Sequence, residues 1–159
     1  MPSHTYTRVG KWEESVATNV RSARAAVDEG SIGEALHAND YVMYAYLQTG
    51  QDLAAGRLLA ALPALAARYD PNGVTTGAPP AAAYFAMAAI PARYALERGD
   101  WKGAAKLEVR ESAFPFADAV TWFAKGLGAA RTGDTATSAE AVRQLERLRD
   151  ALTQRKEAY

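Results

Sequence analysis

A glycine corner recurs along this chain between alanine-rich runs, and few folds accommodate it. It stands at Val9-Gly10-Lys11-Trp12, Thr49-Gly50-Gln51-Asp52, Arg98-Gly99-Asp100-Trp101 and Thr132-Gly133-Asp134-Thr135. At such a corner the first helix stops and the backbone passes through the left-handed region, which only glycine enters without a Cβ clash. An aspartate just after the glycine can then cap the next helix through its carboxylate. Gly99 and Gly133 are 34 residues apart, the period of a stacked helix–turn–helix repeat. The first two corners are 40 apart and the middle pair 49, so the longer intervals require insertions.

The filling between the corners is helical. Alanine and leucine, the strongest helix formers, are plentiful, and the chain has no clusters of the β-branched residues that strands need. The expected class is all-α, an α-α superhelix of antiparallel helix pairs occupying residues 1–159 as one domain. Its 18 basic and 18 acidic side chains cancel, leaving no basic field for nucleic acid or an anionic membrane surface. The absence of cysteine excludes disulfides, thiol catalysis and thiolate zinc sites. No stretch approaches the ~18–20 apolar residues of a membrane helix. The opening Met-Pro-Ser-His-Thr carries no basic-then-apolar leader, so a cytoplasmic location is expected.

The pattern predicts a helix over about 11–29, burying Val16, Val20, Ala23 and Val27. Ser31 and Glu34 have capping-box spacing for a second helix that ends at Gly50. The third begins at Asp52, shows Leu53, Leu58, Leu59 and Leu62, and should break or kink at Pro63, with a short piece over 64–68. Residues 69–80 (YDPNGVTTGAPP) read as the one extended loop. Helices over 81–98, 101–111, from Phe114-Pro115 to 131, and over about 137–157 complete the series. The last should bury Val142, Leu145, Leu148 and Leu152. In the 34-residue register Met1 falls within a helix, and neither end has the polar cap of a finished stack. A segment of a longer stack, or end-to-end self-association, is therefore expected.

In that register the chain resembles the tetratricopeptide-repeat family. Tyr6 and Tyr46 take the pattern's eleventh position, Trp122 the fourth, Gly126 the eighth, and Ala55 and Ala104 the twentieth. Asn39 and Ala88 stand where an aromatic is usual, Ser15 and Ser138 where alanine is usual, and Pro91 is foreign to a first helix. Residues 1–12 also resemble a stretch of large bacterial proteins of this class. The resemblance implies a stacked-helix scaffold that binds a protein or extended peptide in its concave groove. It places His4 and Arg8 in that groove, then His37, Asp40, Tyr41, Tyr44 and Gln48, then Arg93 and Glu97, and finally Phe123, Leu127 and Arg131.

The middle set also stands on spacing alone. His37, Asp40/Tyr41, Tyr44 and Gln48 fall at i, i+3/4, i+7 and i+11, one face of one helix. That face mixes aromatic planes with hydrogen-bonding groups, as binding surfaces do. The competing reading makes Tyr41 and Tyr44 packing residues whose hydroxyls reach water. A second alternative is a metal site of two histidines and a carboxylate, His4, His37 and Asp40, suited to iron or zinc in a metal-binding or enzymatic segment. His4 strains it, lying roughly 6 Å along its helix from the level of Asp40, across an interhelical gap of ~8–10 Å. No nucleophile elbow, Walker loop or dinucleotide fingerprint occurs, so no catalytic residue, enzyme activity or cofactor is expected.

Overall fold

A computed structural model describes residues 2–73 and 77–155. The described residues form eight helices and no strand. They are α1 (Pro2–Arg8), α2 (Trp12–Asp28), α3 (Ile32–Gln48), α4 (Asp52–Ala66), α5 (Pro80–Glu97), α6 (Trp101–Ala105), α7 (Pro115–Thr132) and α8 (Thr135–Gln154). The contacts gather into two compact units, 1–90 and 91–159, divided within α5.

The corners do what the sequence implies. Gly10, Gly50, Gly99 and Gly133 all have positive φ, and Gly30, between α2 and α3, joins them. Asp100 and Asp134 cap as expected, accepting from the amides of Gly103 (2.8 Å) and Thr137 (2.9 Å). α4 departs from this, since its N-cap residue, Gln51, makes no side-chain capping bond. The Ser31/Glu34 capping box does not form either. Ser31 is the N-cap residue without the side-chain capping bond, and the Glu34 carboxylate accepts from the Ala78 amide instead, at 2.8 Å.

In the first unit α2 packs on α3, α3 on α4, and α1 on both α2 and α3. The core is built from small and medium side chains, with Ala35, Leu36, Ala38, Val42, Met43 and Ala45 of α3 at 0–1% exposure. Small side chains let neighbouring helix axes approach closely, and the lost area per residue is offset by contact density. The buried stripe of α2 is turned from the expected one. Ser15, Asn19, Ala23 and Ala26 are buried, while Val16, Val20 and Val27 are half-buried. The reason is a polar seam. Asn19 Nδ2 donates to the Ser15 carbonyl (2.9 Å) and Oγ (3.3 Å), and Ser15 Oγ meets Thr7 Oγ1 of α1 at 2.7 Å. Polar groups are tolerated inside when they bond one another.

Pro63 does not break α4, which runs through it to Ala66. The proline is exposed, and its own carbonyl still accepts from the Ala67 amide at 3.0 Å. Leu53 is 81% exposed, and only Ala55 and Leu62 of α4 are buried. The segment after α4 returns over the start of α3. The ring of Tyr69 lies edge-on to Tyr84 (5.7 Å, 85°), and its hydroxyl reaches the Pro80 carbonyl at 3.4 Å.

In the second unit α7 packs on α6 and on α8. The helix expected over 101–111 stops at Ala105. Its end is sealed by Lys125 of α7, whose Nζ donates to the carbonyls of Ala105 (3.1 Å) and Leu107 (3.2 Å). The irregular stretch that follows is tied down at Ser112, whose amide and hydroxyl donate to the buried Asp118 carboxylate at 3.1 and 2.7 Å. Leu148 is buried in α8 as expected, whereas Val142 is 53% exposed and Ala141 takes its place inside.

Candidate functional site

Three rings meet in the first unit where α1 crosses α3. His37 and Tyr41 stand one helical turn apart, so both project from the same face of α3. His4 of α1 stacks on Tyr41, with centroids 4.3 Å apart and planes 13° from parallel. His37 sets its ring edge-on to both, at 5.4 Å and 80° to His4 and at 5.4 Å and 81° to Tyr41. One turn further along, Tyr44 meets the Trp12 indole at 5.5 Å and 88°. Offset stacks and T-shaped contacts are the preferred arrangements of such rings.

All four α1 and α3 rings are half-buried, fixed on one side and open on the other. Glu34, one turn before His37, is buried at 8% exposure, and Asp40 at 6%. His4 Nε2 is enclosed and meets no hydrogen-bond partner. Burial pushes the His4 pKa below its ordinary 6.5; the nearby His37, the chain's amino terminus and Arg8 push the same way, and Glu34 opposes them. The outcome is an imidazole held neutral near physiological pH. It stacks on Tyr41 rather than carrying charge.

The residues expected on this face divide accordingly. His4, His37 and Tyr41 come together, Tyr44 joins Trp12, Asp40 is buried within α3, and Gln48 and Arg8 are exposed at the ends of their helices. Among the described residues no group of three or more His, Asp or Glu is arranged to hold a metal ion, and His4, His37 and Asp40 are included in that statement. In the second unit Arg93 is half-buried and Glu97 exposed on α5, and Leu127 is half-buried on α7. Phe123 is 55% exposed, and the exposed Arg131 lays its guanidinium 5.1 Å from the Trp101 ring.

Sequence reasoning missed Trp12 and Glu34. Trp12 opens α2 immediately after the Gly10 corner, and its partnership with Tyr44 is a tertiary contact with no local signature. Glu34 did leave a signal, its i−3 spacing from His37, but the same spacing from Ser31 suggested a cap.

No family model, no curated protein and no solved structure matches this chain. Among the described residues, no helix is long and apolar enough to cross a membrane.

Proposed function

We propose that this chain is a tetratricopeptide-like interaction module that binds a protein or extended peptide, with the His37–Tyr41–Tyr44–Gln48 face of α3 as its recognition surface. One observation carries the reading: Tyr41 and Tyr44 are each held by a ring from another helix while part of their surface stays open. A tyrosine whose rotamer is already fixed binds without the ordering cost of roughly 0.5–1.5 kcal/mol per side chain. Aromatic anchors of this kind carry a large share of the energy in protein interfaces. Exposed Gln48 adds hydrogen-bonding capacity at the end of the same face. In the second unit Arg131, braced on Trp101, is a candidate charged contact, with Arg93 and Glu97 beside it in the proposal.

The test is selection from a randomised peptide display library. The wild-type protein should enrich a family of peptides with aromatic or hydrogen-bonding anchors. Tyr44→Ala should weaken their binding about tenfold or more, as loss of a hot-spot anchor does, and Leu53→Ser on α4 should leave it unchanged. Peptides that bind Tyr44→Ala as well as wild type, or no enrichment at all, would sink the proposal.

A further inference from the structure

The helix that carries His4 is short and almost wholly polar. α1 has the sequence PSHTYTR, without a single Ala, Val, Leu, Ile or Met. Seven residues are too few for a helix to persist alone, so α1 stays wound only while it is docked. Its seat includes the buried Ser3, the half-buried Tyr6, the Thr7–Ser15 hydroxyl contact and the His4–Tyr41–His37 ring cluster. The Thr7 hydroxyl also turns back to the Ser3 carbonyl at 3.1 Å.

From this geometry we propose that α1 is a pH-sensitive clasp, seated on α2 and α3 while the His4 imidazole is neutral and released when acidification protonates it. A proton on His4 leaves both ring nitrogens as N–H donors on a cation. Nε2, enclosed and without an acceptor, then holds part of that charge out of contact with water or carboxylate. The groups around His4 are the ring of Tyr41, the imidazole of His37, the amino terminus, Arg8 and the carboxylate of Glu34. A cation stacked on Tyr41 gains some cation–π attraction, and Glu34 favours charge as well. Glu34 is committed to the Ala78 amide, however, and burial, His37, the amino terminus and Arg8 all work against the charge.

The sign follows from linkage. A histidine whose folded-state pKa is depressed contributes stability that is whole above its unfolded value, here 6.5, and lost as pH falls through the folded value. That stability belongs to the docked α1, because undocking alone returns His4 to water. The clasp does not depend on the binding function proposed above, and no partner is needed to observe it.

Amide exchange on the intact protein tests it. The Val9 and Lys11 amides bond to the carbonyls of Thr5 (3.1 Å) and Tyr6 (2.9 Å) only when α1 is wound. Between pH 7.5 and pH 5, corrected for the intrinsic pH dependence of exchange, their protection should fall severalfold while amides of α3 and α7 keep theirs. His4→Phe keeps a ring on Tyr41 and cannot be protonated, so its protection should stay level. Protection in wild type that holds through the same range, or falls equally in His4→Phe, overturns the proposal. If His4→Phe does not fold, NMR titration of the His4 ring in wild type decides the matter. A midpoint below that of the same histidine in the urea-unfolded chain is expected, and one at or above it overturns the clasp.

Discussion

Gly128 shows how a single missing carbon sets the spacing of two helices. A β-carbon there would lie 2.5 Å from the Ala105 amide nitrogen and 2.6 Å from the Trp101 carbonyl oxygen, both backbone atoms of α6 that cannot swing aside. Two residues earlier, a β-carbon on Gly126 would come within 2.8 Å of the Ala141 methyl of α8. The Gly-Leu-Gly of α7 thus lets that helix lie close to both neighbours. Gly128→Ala should push α6 from α7 and cost about 1–3 kcal/mol in urea unfolding, as overpacking does. Leu53→Ser, at a side chain 81% exposed, should stay within about 0.5 kcal/mol of wild type in the same assay. Equal effects at the two positions would show that the close approach at Gly128 is relaxed in solution.

At the scale of elements, α8 shows how a largely polar helix is held in place. Its N-terminus is closed by Asp134, whose carboxyl is held below its usual 3.8 chiefly by the Thr137 amide and secondarily by the Thr137 hydroxyl. Glu140, six residues on, is held below its usual 4.5 by Gln144 and then by Arg143. Both shifts are downward. Their stabilisation is therefore complete above the ordinary carboxylate values and is lost as pH falls through the lower folded values. Acidification below pH 3.8 should fray the first turns of α8, visible as lost amide protection at Ser138, which bonds to the Asp134 carbonyl at 3.1 Å. In Asp134→Asn the part of that acid sensitivity due to residue 134 should vanish; an unchanged profile would place its origin elsewhere. The same scale explains why α2 buries a stripe other than its valines. Asn19 Nδ2 donates to Ser15, and the Ser15 hydroxyl reaches Thr7, so the polar edge faces α1 and the valines are left at the margins.

For the whole molecule, charge governs behaviour in solution. Eighteen cationic and eighteen carboxylate side chains leave no net charge at pH 7, and side chains such as Leu53, Phe123 and Val142 are more than half exposed. Repulsion between copies is weakest under that condition. Light scattering should therefore show association greatest near neutral pH and relieved on either side. Scattering that is flat from pH 5 to pH 9 would mean that the exposed apolar side chains do not drive association. The helical class, the glycine corners with their positive φ, the Asp100 and Asp134 caps and the start of α7 at Pro115 were all legible in the sequence, because each depends on a few adjacent residues. So was the joint projection of His37, Tyr41 and Tyr44, which follows from helical spacing. The continuation of α4 through Pro63 and the early end of α6 were not. The early end of α6 depends on Lys125, which closes the helix from another element. Likewise, Glu34 could be read as a cap from its spacing to Ser31, and only the return of the chain at Ala78 gave its carboxylate a different partner. By itself, then, the sequence determined the helical class, the glycine corners and which side chains share a helix face, since those are properties of local backbone conformation. The tertiary structure alone decided that His4 lies flat on Tyr41 beside His37 with its Nε2 enclosed, because burial and ring contact between residues 37 positions apart exist only once the helices have packed.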